Sequence, residues 1–378
     1  QRAVIDKYYQ SMADHHITPY NPAPNSSPKV TWGQGDPGPD SGFSEADRTL
    51  FTAHPLLPTF EWADWDAELK KNFERFHFTS INVGIPGVRG ALQGFAPGTR
   101  EHYLAMRAYG KALEDHLEAL GLLDAAYIYW TDEPEKKDYP GVMEGFQQLK
   151  QAAPRIRRML TEQVEPELAG GPNLWCPLTM WYDHARAEQR RAAGDRFWWY
   201  VCTVPKWPYP GEFIDDPGTD LRVWLWQTWK YGIEGILIWH TNLWTTPCVY
   251  PDGNQNPYED PMAWMEGYGT QPGQRRPWGN GDGRSMYPPV KAGAPLTDET
   301  CLDGPVDSIR WEMLRDGIED YEYMALLKRA LEKAKPALSA KEYRGYERLL
   351  KVPEGITKDL KTYTLDPAPI ERHRARVA

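Results

Sequence analysis

The sequence predicts an α/β fold, a (β/α)8 TIM-like barrel whose first strand is expected to be missing from the chain. Two observations predict it. Short apolar runs alternate with longer segments of helical period through most of the chain. This alternation suits parallel strands joined by right-handed crossovers. No G-x-G-x-x-G or Walker loop is present, which removes the usual ground for the rival, a doubly wound open sheet.

The elements follow in order. Ala3, Val4, Tyr8 and Met12 recur at helical spacing, so a helix comes before any strand. A short extended piece is expected at Ile17–Tyr20, stopped by Pro19 and Pro22. Residues 21–58, rich in Pro, Gly, Ser and Asp, read as a long loop. Trp65, Leu69 and Phe73 mark a helix over 62–76. Ser80–Ile85 is a strand ended by Pro86-Gly87. A helix over 100–120 leads to the strand Ala125–Trp130, and one over 141–153 to the strand Ile156–Thr161. Then come Leu174–Leu178, a helix near 182–193, the aromatic strand Phe197–Val201, a helix over 220–231 and the strand Gly235–His240. Residues 245–306 read as a Pro- and Gly-rich insertion, and 308–335 as an amphipathic helix. The seven strands leave the barrel one short. Residues 1–335 are thus expected to form the barrel domain, with 336–378 a helical tail packed on it.

Composition narrows the function. With 53 acidic against 43 basic side chains and no basic run, the chain is a poor partner for nucleic acid. No apolar stretch is long enough for membrane insertion. Seventeen Trp and 21 Tyr fit either core filling or flat ligands such as sugar rings. Cys176, Cys202, Cys248 and Cys301 are widely spaced, which argues against a structural zinc site, and Cys176 and Cys202 read as small buried apolar groups. No metal or other cofactor is expected. The chain starts at Gln1 without an initiator Met, and reads as a processed or truncated product; removal of a signal would favour a secreted or periplasmic location.

On a barrel the chemistry lies at the C-terminal strand ends. The segment Tyr129-Trp130-Thr131-Asp132-Glu133-Pro134 places adjacent carboxylates there. They read either as a solvated turn or as a general acid beside an electrostatic partner, with Asp132 raising the pKa of Glu133. Pro134 is expected to hold Glu133 extended. A two-carboxylate retaining glycosidase needs a second acid about 5–5.5 Å away. The late halves of the 196–204 and 236–244 segments have none, and Glu162 is the one close rival. This asymmetry favours substrate assistance, in which a 2-acetamido oxygen attacks the anomeric carbon. Glu133 would then protonate the leaving oxygen while Asp132 contacts the acetamide N–H.

Candidate sugar-binding residues line the strand ends: Tyr129, Glu162, Trp181, Tyr182, Trp199, Tyr200, Trp239, His240, Asn242 and Trp244. Each Trp reads equally as core packing, and His240 as a satisfied core histidine. Asp282, in the loop Gly279–Pro288, reads as a turn cap or as reaching the pocket. The charges of Leu314–Tyr321 read as a solvated or ion-paired helix face.

The segments YIYWTDEP, WWYVCTVPKWPYPGEFID, LWQTWKYGIEGILIWHTNLW, GDGRSMYP and SIRWEMLRDGIEDYEYMALL together resemble the glycoside-hydrolase-like proteins grouped as domain of unknown function 4091. That group is related to glycoside hydrolase family 123, the β-N-acetylgalactosaminidases. The resemblance spans roughly residues 125–330. It implies a (β/α) barrel and a retaining, substrate-assisted mechanism on a glycan, with Asp132 orienting the acetamide and Glu133 as acid/base. It also places Trp199, Tyr200, Trp239 and Asn242 in segments lining the sugar site. The chain departs from the family in lacking its usual N-terminal β-sandwich. Two other readings stand beside it: a two-carboxylate glycosidase using Glu133 as acid/base and Glu162 as nucleophile, and a non-catalytic carbohydrate-binding barrel.

Overall fold

The computed structural model describes residues 2–23, 28–244, 257–258, 279–289 and 302–378. Most of the insertion expected at 245–306 lies outside them, as do Cys248 and Cys301. In chain order the main elements are α1 (Arg2–Asp14), β1 (Lys29–Gly33), α2 (Glu45–Ala53), β2 (Leu57–Glu61), α3 (Ala63–Arg75), β3 (Ile81–Asn82), α4 (Arg100–Ala119), β4 (Ala126–Tyr129), α5 (Tyr139–Ala152), β5 (Arg157–Leu160) and β6 (Leu174–Trp175). There follow α6 (His184–Ala192), β7 (Arg196–Tyr200), α7 (Thr219–Lys230), β8 (Gly235–Leu237), β9 (Met286–Tyr287), β10 (Val306–Asp307), α8 (Ile309–Ala334), α9 (Ala340–Glu347) and α10 (Ala368–Val377). Six parallel strands run in chain order, β3-β4-β5-β6-β7-β8. The α/β class and the parallel repeat therefore hold, while the described residues supply six of the barrel strands and not eight.

Two expected elements differ. Ile17–Tyr20 forms no strand; its contribution is one backbone bond, from Asn82 N to the Tyr20 carbonyl at 3.2 Å. The expected loop over 21–58 holds real structure. Ser44 and Asp47 form a capping box that starts α2, and β1 and β2 pair antiparallel across it, Lys29 opposite Glu61 and Gly33 opposite Leu57.

The chain divides into two compact units. One comprises 18–176 and 185–196. Here α4 buries Leu104, Leu113 and Leu117, and crosses α5 closely because Gly110 has no side chain: an added Cβ would sit 2.2 Å from the Ala152 carbonyl oxygen. The strands β4 and β5 pair from Tyr127–Arg157 to Tyr129–Met159, with Ile128, Met159 and Leu160 buried. Alternation on a parallel strand covered on both faces explains the near-continuous apolar runs. Cys176 is fully buried, as expected of a small apolar group.

The other unit comprises 1–17, 177–184 and 197–378. In it β7 and β8 pair from Trp198–Gly235 to Tyr200–Leu237. Helix α7 is buried on nearly all sides, and α8 meets it where Gly317 lies against the Leu221 carbonyl. The residues after α8 pack back on this pair: Ile356, Ile370 and Val377 join Val223, Trp226 and Met324 in one apolar cluster. Asp320 takes the ion-paired form of the two expected for the Leu314–Tyr321 face. It is 1% exposed and accepts from Arg222 Nε at 2.9 Å and Trp226 Nε1 at 2.9 Å, an internal ion pair between α7 and α8.

Candidate active site

The acidic pair sits directly after β4, both side chains exposed while Ala126–Ile128 are buried. The segment does not continue extended. Thr131 has φ 59° and Glu133 φ 38°, left-handed values that cost a non-glycine residue on the order of 1–3 kcal/mol each. The extended Glu133 expected from Pro134 is thus corrected. The structural reason is a tether from the next strand: Glu133 N donates to Thr161 Oγ1 at 3.0 Å, just beyond β5.

Thr161 organises the whole cluster. Its hydroxyl donates to Asp132 Oδ1 at 2.9 Å, and the Tyr129 hydroxyl donates to the same oxygen at 2.5 Å. The two hydroxyls lie 2.9 Å apart. Hydrogen bonds to a carboxylate are charge-assisted, so this triangle fixes the direction of Asp132 without neutralising it. Tyr129 is held in turn by its own backbone N–H on Asn82 Oδ1, 3.0 Å, and by the edge of Tyr20. Burial, reinforced by Asp132, pushes the Tyr129 phenol far above its usual range, so it stays a donor.

Glu162 lies beside this cluster, 7% exposed, with Oε1 accepting from Gln163 N at 3.2 Å. Desolvation, aided by the charges of Glu165 and Glu133, pushes its carboxyl up to about 7. A group in that state is half neutral near pH 7, which suits a proton donor better than a nucleophile.

The remaining candidates belong to the other unit and divide into surface and core. Trp199 is fully buried and donates from Nε1 to Thr228 Oγ1 at 3.0 Å, so it packs the core and offers no face to a ligand. Tyr182 packs edge-on against it at 5.5 Å and is 9% exposed, and Tyr200 is 4% exposed. Trp244 donates to the Met286 carbonyl at 2.8 Å, its ring 6.2 Å from Tyr8 of α1. All four side chains are thus engaged within their own unit. Trp181 and Trp239, 48% and 40% exposed, do present surface.

Trp239 is built in from several sides. Its Nε1 donates to Asp282 Oδ1 at 2.8 Å, Gly283 lies under its ring, and His240 meets it edge-on at 5.4 Å. His240 Nδ1 accepts from Asn242 N at 3.3 Å, which puts the ring proton on Nε2; burial lowers its pKa and keeps it neutral. Asn242 bridges Arg284 by backbone pairing.

Behind Trp239 stand two acids that composition and motif did not bring together. Asp282 is fully buried and hydrogen-bonded to Glu212, itself 4% exposed. Burial raises the proton affinity of both, and the Asp282 charge raises that of Glu212 further, while Glu212 acts on Asp282 in the opposite sense. Arg310 ties the surrounding loop together, donating to the carbonyls of Glu212, Gly281 and Arg284 at 2.7–2.8 Å. The one sequence signal was G-D-G, whose Gly281 and Gly283 both take positive φ. Asp282 sits in a turn closed by its N–H on the Gly279 carbonyl and anchors a surface indole.

Comparison with known proteins adds to this geometry. The model of the glycoside hydrolase 123 catalytic domain matches residues 89–327, which include Asp132, Glu133, Glu162 and Trp239. Among solved structures, one reported under "The details of glycolipid glycan hydrolysis by the structural analysis of a family 123 glycoside hydrolase from Clostridium perfringens" superposes with a TM-score of 0.50 at 14% identity. That alignment covers 99% of this chain and 63% of the clostridial one, so the chain spans under two thirds of that enzyme's length. No curated protein matches the sequence. With more than half of its length matched by the family model, the chain belongs to glycoside hydrolase family 123.

Proposed function

We propose that this protein is a glycoside hydrolase that releases terminal β-linked N-acetylhexosamine, N-acetylgalactosamine first among them, with retention and with help from the substrate's own acetamide. The observation that carries the reading is the Tyr129–Thr161–Asp132 triangle beside Glu133. Both hydroxyl donors fall on Asp132 Oδ1, which leaves Oδ2 to receive the acetamide N–H. Held that way, the acetamide oxygen attacks the anomeric carbon as the glycosidic C–O bond breaks. Glu133 gives its proton to the leaving oxygen, and Asp132 balances the oxazolinium charge. Glu133 then takes a proton from the water that opens the oxazolinium at the same carbon. Trp239, Trp181, His240 and Asn242 are proposed to contact sugar; barrel closure, with 1–335 as one catalytic domain, is proposed alongside.

The two-carboxylate alternative asks Glu162 to be an ionised nucleophile, and a carboxyl raised to about 7 by burial is poorly prepared for that. The test compares aryl β-N-acetylgalactosaminide with aryl β-galactoside. The acetamido substrate is expected to turn over and the galactoside not; equal turnover eliminates acetamide participation. Glu133→Gln should lower kcat by roughly 10²–10⁴-fold on the same substrate.

A further inference from the structure

Outside the carbohydrate site, the second unit gathers three ligand-type side chains from three separate elements: His15 just past α1, Asp307 on β10 and Glu312 in the first turn of α8. One donor atom from each lies within 4.8 Å of the others. We propose that this cluster is a binding site for a divalent transition-metal ion of the zinc type, clamping α1 to the start of α8.

The imidazole carries the argument. His15 is 2% exposed and stacked on Trp311 at 5.1 Å. Its Nδ1 lies 2.7 Å from the Ser11 carbonyl, which can only accept, so Nδ1 carries a proton and the Nε2 of the neutral ring is the one that can offer a lone pair. That Nε2 is buried and makes no hydrogen bond, an expensive state for a polar atom unless something fills it. A backbone carbonyl fixing one ring nitrogen so that the other points at an ion is the usual outer-shell arrangement of metal-bound histidine.

The carboxylates are prepared in the same sense. Glu312 Oε1 is 3.4 Å from His15 Nε2, while Oε2 is held by Arg315 Nη1 at 2.6 Å. Two ligands bound tetrahedrally at about 2.0–2.1 Å stand roughly 3.3–3.4 Å apart, so this edge already has the right length. Asp307 Oδ1 accepts from Ser11 Oγ at 2.6 Å, and Ser11 Oγ accepts from Trp311 Nε1 at 3.3 Å, which orients the third ligand. Asp307 is exposed, so a rotation of its side chain closes the site and gives the ion a way in. One nitrogen and two carboxylate oxygens, with the fourth position left to water, suit a borderline ion better than Ca²⁺ or Mg²⁺, which take oxygen ligands. His15 stands about 300 positions from the two carboxylates, which is why ligand spacing in the sequence did not show the cluster.

The test is calorimetric titration of the chelator-stripped full chain with Zn²⁺, paired with thermal melting. One ion per chain is expected to bind with micromolar or tighter Kd and to raise Tm. Because replacing His15 also disturbs its stack on Trp311, the partly or fully exposed ligands carry the test: Asp307→Asn and Glu312→Gln should each weaken binding at least tenfold and shrink the Tm rise. Absence of saturable one-to-one binding, or binding that survives in the Asp307→Asn/Glu312→Gln double variant, overturns the proposal.

Discussion

Thr161 is the residue on which the acidic pair depends. It is 3% exposed, accepts the Glu133 N–H and donates to Asp132, so it sets the strained turn and the aim of the carboxylate together. Thr161→Val keeps the shape and removes both bonds. It should lower kcat/KM on an aryl N-acetylhexosaminide by roughly ten- to a hundredfold, about 1.4–2.7 kcal/mol of transition-state stabilisation. Steady-state kinetics check this, and unchanged kcat/KM would show that the triangle does not orient Asp132. Asp132 and Glu133 stood out in the sequence because two adjacent acids after an apolar strand need solvent or partners. Thr161 was not, because a hydroxyl at a strand end carries no signal until the neighbouring strand brings it 28 or 29 positions back to its partners. The aromatic candidates raise a different difficulty. Strand alternation says which side a residue faces, not whether that side is covered, and Trp199 proved to be covered by Thr228 and Tyr182.

Among the elements, helices were read well, since 3.6-residue apolar spacing survives whatever they pack against; α3, α4, α5, α7 and α8 begin and end within a few residues of expectation. Strands were read too long. The described β3, β6 and β8 are two or three residues each, because an apolar run marks burial and does not say where ladder bonding stops. Helix α2 was hidden inside a Pro-, Gly- and Ser-rich stretch although its capping box, Ser44 to Asp47, is written in the sequence. Close helix crossings are a property of this scale too. The α4–α5 contact runs over Gly110, where an added methyl meets backbone that has nowhere to go. Gly110→Ala is expected to destabilise by about 1–3 kcal/mol despite its better helix propensity, read as a lower denaturation midpoint at unchanged m-value. A stability gain would mean that propensity, worth at most about 1 kcal/mol, outweighs the clash.

For the whole molecule, acids displaced from their ordinary range set the pH response. Burial raises Glu162 and Asp220 to about 7, from 4.5 and 3.8. The folded chain therefore holds protons that the unfolded chain has released over roughly pH 4–7, and stability falls as pH rises through that window. Asp36 and Asp47, held near 2 by Arg48 and Arg100, act oppositely: their contribution is present above about pH 4 and lost as pH falls toward 2. Thermal midpoints should peak near pH 4–5 and decline to a plateau above about 7, with Glu162→Gln/Asp220→Asn flattening the decline. A flat profile across pH 5–7.5 in the unmodified protein would contradict this.

The central claim is that the sugar's own acetamide performs the displacement while Asp132 and Glu133 guide it. The most direct measurement is kcat/KM for one aryl glycoside series in which N-acetyl is replaced by N-fluoroacetyl, N-difluoroacetyl and N-trifluoroacetyl. Each fluorine weakens the carbonyl oxygen as a nucleophile and scarcely changes its size. The account predicts a steep, progressive fall along the series; a flat series would mean that the acetamide does not attack, and would contradict it.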